Sequence, residues 1–361
     1  MSSQKTNILL IGATGYLGGS ILLKALTLPD VSITAFVRNA DKAKTLRELN
    51  LQTTVSVGWA QKLVGRFKKS RRSSDAGVKV VVGSPSTDKD TLDKLVDQAD
   101  IIVDASDADD MAGAKNIIES ASKSSKRPHV IHVSGLAIAV DNAGGQLTKL
   151  PAWDDTDIPR LRAIPYEALH NNVDQEYLKA DEQGHLYSYL LVPGAAFGQP
   201  SGTLVDAGLH TATEFFPTLV VGAVKTAGGA AAAVGEGLNE FAVVHIDDVA
   251  DLGLILIKKI ISDKGLSHGW DGYYFAVNGA VSLKDMVLAA AKGLNKVQDT
   301  QYRPLTDDEI SKAFPYPIVA QIAGSNTRAK PTRAKALGWS PKKGPSEYLE
   351  AVTLLASKSQ A

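Results

Sequence analysis

The stretch Asn7-Ile8-Leu9-Leu10-Ile11-Gly12-Ala13-Thr14-Gly15-Tyr16-Leu17-Gly18-Gly19 decides the fold. Residues 8–11 are a short, continuous apolar run, the pattern of a strand buried on both faces of a parallel sheet. Glycines follow at once, and the chain then resumes as a helical pattern with Ile21, Leu22, Leu23, Ala25 and Leu26. In that order the three pieces read as a nucleotide pyrophosphate site. Gly12 permits the tight turn, Gly15 lets the backbone approach a phosphate, and Gly18 lets the helix pack close to the strand, so that the first N–H groups of the helix point at an anion. The spacing is G-x-x-G-x-x-G rather than the G-x-G-x-x-G of the best-known dinucleotide enzymes, and a glycine triplet alone is weak evidence. Its position between an apolar strand and an apolar helix carries the reading.

Outward from this turn, residues 31–37 are rich in β-branched and aromatic side chains and read as a second strand. It ends in Arg38-Asn39. A carboxylate at this point suits a free ribose 2′-hydroxyl and an arginine suits a 2′-phosphate, so NADP is expected, with NAD as the alternative. Strands are then expected at 78–82, 101–103 and 130–133, alternating with helices at 41–49, 86–99 and 111–121. That alternation requires a parallel sheet with right-handed crossovers. The strand at 130–133 runs into Ser134-Gly135, which places a hydroxyl at the carboxyl edge of the sheet, where open α/β sheets bind ligands. A helix is expected over 166–180, a sixth strand over 186–192 ending in Pro193-Gly194, and a last strand over 273–277. Ser282 and Asp285 form a capping pair for a helix ending near Gly293, and two more helical pieces flank Gly338-Trp339-Ser340-Pro341.

The expected architecture is a Rossmann-type, doubly wound parallel sheet with a smaller C-terminal α/β substrate lobe. Residues 1–198 continued by 241–280 make the nucleotide-binding unit; residues 199–240 and 281–361 make the lobe. One stretch does not fit. Residues 51–76 are too long for an ordinary helix-to-strand connection and carry Lys62, Arg66, Lys68, Lys69, Arg71 and Arg72. They read as a solvated basic insertion, about 52–75, with a basic arm for a polyanion or an acidic partner as the alternative; since joining Leu49 to Gly77 would give a normal connection, a further hypothesis is that the segment is foreign to the fold.

The 361 residues suffice for a large α/β unit with a companion, and 39 basic residues balance 39 acidic ones. Nothing in that balance points to nucleic acid or an anionic membrane. No cysteine is present, which excludes disulfides and thiolate chemistry. The first residues lack an apolar signal core, so the expected location is the cytoplasm. The most membrane-like stretch, 216–234, is broken by Pro217, Lys225 and Gly228-Gly229 and reads as a packing segment.

These residues together resemble the extended short-chain dehydrogenase/reductase family, which includes NAD(P)-dependent epimerases, dehydratases and dihydroflavonol-type reductases. The matching stretches are Gly12-Ala13-Thr14-Gly15-Tyr16-Leu17-Gly18, Ser134, Pro193-Gly194 with Gly198, Val244-His245-Ile246-Asp247-Asp248-Val249-Ala250, and Leu337-Gly338-Trp339-Ser340-Pro341. The resemblance implies a cofactor site formed by Gly12, Thr14, Gly15, Tyr16, Leu17, Gly18, Arg38, Ser134, His170 and Pro193. It also implies a reaction centre of a serine, a tyrosine acid/base, and a lysine four residues later that lowers the tyrosine pKa. Here Ser134 and Tyr166 match, but His170 stands where the lysine belongs. A neutral imidazole hydrogen-bonds a ribose yet brings little positive charge at pH 7. Two functions therefore compete: an NADP-dependent oxidoreductase acting on a carbonyl or secondary alcohol of a small molecule, or a non-catalytic dinucleotide-binding regulator like the nitrogen-metabolite regulators of similar fold. A nucleotide-sugar epimerase or dehydratase is a further alternative, with Arg303 and Arg328 as candidates for a substrate pyrophosphate. A homodimer through two core helices is an expectation from the resemblance.

The remaining polar residues read as structural. His245 and Asp247 belong to a motif that fixes the substrate segment, and His210 and Asn239 are expected to face water. The cluster Asp107, Asp109 and Asp110 is explained by charge at a helix N-terminus rather than by a metal. No G-x-S-x-G elbow surrounds Ser134, which excludes a hydrolase triad.

Overall fold

The computed structural model describes residues 5–54, 77–210, 215–262, 265–294, 301–314 and 316–359. The first five strands are β1 (Thr6–Ile11), β2 (Val31–Val37), β3 (Lys79–Val82), β4 (Ile101–Asp104) and β5 (His129–Val133). They are followed by β6 (Trp153–Asp154), β7 (Tyr187–Pro193), β8 (Ala195–Phe197), β9 (Ala231–Ala233), β10 (Glu240–His245) and β11 (Tyr273–Ala276). β12 (Ala280–Ser282), β13 (Tyr302–Pro304) and β14 (Ala329–Lys330) complete the set. Seven of them form one parallel sheet in the order β11-β7-β5-β4-β1-β2-β3. The order reverses beside β1, whose neighbours are β2 and β4. This is the switch point at which doubly wound sheets open a crevice beyond their carboxyl ends.

The helices between these strands are α1 (Tyr16–Ala25), α2 (Ala40–Glu48), α3 (Lys89–Gln98), α4 (Met111–Lys123), α5 (Ile158–Arg162) and α6 (Asn171–Glu182). After β8 come α7 (Thr203–Asp206), α8 (Phe215–Thr226), α9 (Ile246–Ile261) and α10 (Leu283–Gly293). Strand alternation sends Ile8 and Leu10 of β1 into one core with α1 and α9, and Leu9 and Ile11 into the other with α3, α4 and α6. Both sides of the sheet are covered, which is why β1 reads as an unbroken apolar run. A third core forms where β8, β10 and β12, a separate three-stranded sheet, meet α8 and α10.

Several expectations need correction. The helix expected over 166–180 starts at Asn171 instead. His170 has a left-handed backbone, φ 68°, which no α-helix accommodates. The side-chain amide of Asn171 donates to the carbonyl of Pro165 at 2.8 Å, so residues 165–170 close into turns. Among its described residues the tail carries four helices rather than two: α11 (Asp307–Ala313), α12 (Pro317–Ala323), α13 (Thr332–Ala336) and α14 (Pro345–Lys358). The stretch 216–234 is α8 followed by β9, and among the described residues no helix is long and apolar enough to cross a membrane.

The basic residues of the insertion lie outside the described residues. Its two ends, however, meet. Gln52 and Gly77 form an antiparallel bridge, and the N–H of Val78 donates to the Leu51 carbonyl at 2.9 Å. The tail motif is also accounted for. Trp339 is buried and its indole N–H donates to the Asp248 carbonyl at 2.8 Å, while the Asp248 carboxylate accepts the N–H groups of Lys342 and Lys343. Two motifs far apart in sequence are thus one structural clasp.

Candidate functional site

The glycine turn sits at the switch point. Gly12 has φ 80°, and a Cβ there would stand 2.2 Å from the Ala105 carbonyl oxygen beyond β4. A Cβ on Gly18 would stand 2.2 Å from the Gly12 carbonyl oxygen. Both positions are closed to any side chain. Gly15 differs: its φ is ordinary at −84°, and a Cβ would meet only the Gly12 carbonyl, at 3.2 Å. It is exposed, and it caps α1 with no side-chain hydrogen bond and no acidic residue in the first turn. The first turn of α1 presents the N–H groups of Leu17 and Gly18 to an anion, with Thr14 half-buried alongside. These features fit a dinucleotide pyrophosphate.

Tyr16 joins this turn to the segment after β8. Its hydroxyl donates to the Gly198 carbonyl at 2.7 Å, and its own carbonyl accepts from His210 Nε2 at 2.6 Å. The His210 ring packs over Gly19. Contrary to expectation His210 is buried, and burial lowers its pKa against the opposing pull of the Tyr16 carbonyl. Asn239 is buried too, its amide donating to the carbonyls of Ala323 and Ser325. Arg38 lies at the carboxyl end of β2 and is exposed. Pro193 closes β7 and is buried opposite Ala276.

Ser134 follows β5 directly, and its N–H donates to the Leu191 carbonyl of β7 at 3.0 Å. Strand parity turns residues 130, 132 and 134 toward the same face, the one covered by α4 and α6. There Ser134 Oγ is 2.8 Å from Asp174 Oδ2, and both residues are buried. Below them His132 stands between two carboxylates, with Nδ1 3.1 Å from Asp104 Oδ2 and Nε2 3.6 Å from Asp174 Oδ1. Asp104 also accepts from Ser106 Oγ at 2.6 Å and Tyr177 hydroxyl at 2.9 Å. Burial opposes the charge on Asp104, but the hydrogen bond and charge of His132, with Ser106 and Tyr177, outweigh it and hold the pKa down. Burial likewise opposes a charged His132, yet Asp104 and then Asp174 raise its pKa. For Asp174 burial wins over His132 and Ser134, and its pKa is raised.

His170 reaches the same edge by another route. Its Nδ1 lies 2.8 Å from Asp109 Oδ1, its N–H donates to the same oxygen at 3.1 Å, and its ring covers Gly135. Of the acidic cluster, Asp109 thus positions His170, whereas Asp110 caps α4 by accepting the Gly113 N–H at 2.9 Å. Among the described residues no group of acidic or histidine side chains is arranged to hold a metal ion.

Tyr166 is not brought to Ser134. It is 43% exposed, and its hydroxyl donates to Glu176 Oε1 at 3.3 Å. Glu176 is two residues beyond Asp174 on α6, about 200° round the helix. Desolvation and the Glu176 carboxylate raise the phenol pKa, the reverse of what an acid/base tyrosine requires. The spacing from Tyr166 to His170 is not that of one helical turn, because those residues are not helical. Arg303 is engaged with Glu309 through two bonds of 2.7 Å, and Arg328 donates to the carbonyls of Thr148 and Leu150. His245 caps α9 and packs edge-on against Phe197. The residues that the sequence reading missed are Asp104, His132 and Tyr177. Parity along two strands and the 174, 177 spacing on one helix were the available signal, but they converge only once the strand order is known.

Comparison with known proteins places this geometry. Residues 4–156 match the NmrA-like family. No curated protein matches the chain in sequence. Among solved structures, dTDP-glucose 4,6-dehydratase from Bacillus anthracis in complex with NAD has a TM-score of 0.61 at 16% identity, covering 98% of each chain. The terminal R domain of the myxalamid PKS-NRPS biosynthetic pathway has a TM-score of 0.64 at 16% identity, covering 100% of this chain and 92% of that one. UDP-glucuronic acid 4-epimerase from Bacillus cereus, in complex with UDP-glucuronic acid and NAD, has a TM-score of 0.59 at 11% identity, covering 99% and 100%. At its N-terminal end the chain is matched by the NmrA-like family, and over its whole length it has the Rossmann-type fold of NAD-dependent epimerases and dehydratases.

Proposed function

We propose that the protein is an NADP-dependent oxidoreductase acting on a carbonyl or secondary alcohol of a small molecule, with the lobe of residues 199–240 and 281–361 covering the substrate. The observation that carries this reading is the shared edge: the uncapped N-terminus of α1 and the Ser134 hydroxyl both lie at the carboxyl ends of the central strands. A bound nicotinamide would supply or accept a hydride there. The chain's own part is to hold the pyrophosphate on Leu17 and Gly18, to place Arg38 beside a ribose phosphate, and to present Ser134 and His170 to the reacting end.

The exposed position of Tyr166 favours a second reading, in which the protein binds dinucleotide without turnover and acts as a regulator. The two separate on whether wild-type protein with bound NADPH reduces any member of a panel of aldehydes and o-quinones.

The cofactor preference rests on Arg38. Calorimetric titration of wild type and Arg38→Ala with NADPH and NADH tests it. A charge-assisted contact to a phosphate corresponds to a loss of about 10- to 100-fold in NADPH affinity, with NADH affinity unchanged. An unaltered ratio of the two affinities would reject the preference.

A further inference from the structure

Asp104, His132 and Asp174 are 3%, 1% and 0% exposed, and the reading above gives them no task. They are not equivalent. Asp104 is held by three residues, His132, Tyr177 and Ser106, the last through both its N–H and its hydroxyl, which is how a buried carboxylate keeps its charge. Asp174 has one hydrogen-bond donor, Ser134, and its Oδ1 faces His132 Nε2 at 3.6 Å without a hydrogen bond. A buried carboxylate so poorly solvated is costlier than the neutral acid. The proton between Asp104 and His132 therefore rests on the imidazole facing the better-supported carboxylate, and Asp174 keeps its own.

A neutral Asp174 donates to Ser134 Oγ rather than accepting from it. That frees the serine O–H to turn away from Asp174, and Ser134 retains 5% exposure. We propose that Ser134, backed by Asp174, is the group that exchanges a proton with the substrate oxygen, the task the resemblance gives to a tyrosine. This rests on the oxidoreductase reading.

In the reducing direction a bound dihydronicotinamide would supply a hydride, with its electron pair, to the carbonyl carbon. The π pair of the carbonyl moves to oxygen, which takes the proton from Ser134 Oγ. The Asp174 Oδ2 proton replaces it on Oγ, leaving the Asp174 carboxylate beside His132 Nε2. Solvent returns one proton per turnover, and oxidation of an alcohol runs the same transfers backward. The charged or titratable groups facing this relay are Asp109 and His170 above it, His132 and Asp104 below it, Tyr177 on α6 and Tyr273 on β11.

The test combines a spectrum with turnover. Difference infrared spectra at pH 7 of dinucleotide-free wild type, Asp174→Asn and Ser134→Ala should show a protonated-carboxyl stretch in wild type. The stretch should be missing in the first variant and shifted in the second. With NADPH and the carbonyl panel, Ser134→Ala should lower kcat about 100-fold or more. Asp174→Asn should lower kcat about tenfold or more with KM unchanged, and should alter the pH profile. Asp174→Asn should bind NADPH within about twofold of wild type. Absence of the carboxyl stretch, or undiminished turnover by Ser134→Ala, would overturn the relay and leave the oxidoreductase reading standing. A wild type that binds NADPH and shows the stretch but reduces nothing would instead overturn the oxidoreductase reading, and the catalytic role of Ser134 with it.

Discussion

Asp174 and Glu176 divide α6 between them: the first meets the Ser134 hydroxyl in the core, and the second takes the Tyr166 hydroxyl at the surface. Tyrosine 166 therefore has a partner, but not the one its sequence spacing implies. An exposed hydrogen bond of this kind contributes less than about 0.5 kcal/mol. Tyr166→Phe should leave the melting temperature within about 2 °C and NADPH affinity within about twofold of wild type. A large loss of either would return the tyrosine to the site.

Gly12 allows a sharper prediction. Gly12→Ala combines a left-handed φ with a 2.2 Å approach to the Ala105 carbonyl oxygen, so the turn must shift. The cost is about 3 kcal/mol or more, seen as a lowered urea midpoint, and dinucleotide binding should be lost with it. Gly15→Ala meets only a 3.2 Å contact and should lose far less stability. Equal effects at the two positions would contradict the geometry.

Asp155 sets a pH dependence. It is fully buried, accepting the N–H of Arg333 at 2.9 Å and of Phe275 at 3.2 Å. Burial, only partly opposed by these bonds, raises its pKa from 3.8 to about 6. The folded state thus holds this proton more tightly than the unfolded chain does. Its contribution is fully present below about pH 4 and is lost as the pH rises through about 6, a change of about 3 kcal/mol. Chemical denaturation of wild type and Asp155→Asn between pH 4 and pH 7 should show the wild type losing that much more stability over the interval. Parallel pH curves would refute the assignment.

The bridge between Gln52 and Gly77 predicts the outcome of shortening the insertion. The chain leaves and re-enters the fold at paired residues, so the stretch between them closes a loop whose entropy depends only weakly on length. Replacing residues 55–76 with a short Gly-Ser linker should keep the melting temperature within about 5 °C and leave NADPH binding unchanged. Loss of binding would mean that the basic residues contribute to the site.

The parts of the fold that could be read in advance are those where one segment carries its own instructions. The run 8–11, the glycines after it and the apolar helix beyond them specify β1, the turn and α1 without help from elsewhere, and the βα alternation does the same for the rest of the sheet. Ser134 was readable because strand position alone puts it at the edge. Tyr166 was misplaced because a spacing of four is informative only inside a helix. The left-handed His170, pinned by Asp109, ends that possibility through a contact 61 residues away. The relay was invisible for a related reason: His132 looks like any polar residue in an alternating strand until the sheet order sets Asp104 beside it and α6 above. His210 and Asn239 were expected in water because nothing local signals their burial, which the lobe alone imposes.

The carbonyl and the hydroxyl of Tyr16 fasten the glycine turn to His210 and Gly198, so the turn and the segment after β8 are coupled. By reciprocity, a ligand that stabilises the turn stabilises that segment to the same extent, and a substrate that orders the segment tightens the grip on the cofactor. Cofactor and substrate should accordingly bind with positive cooperativity.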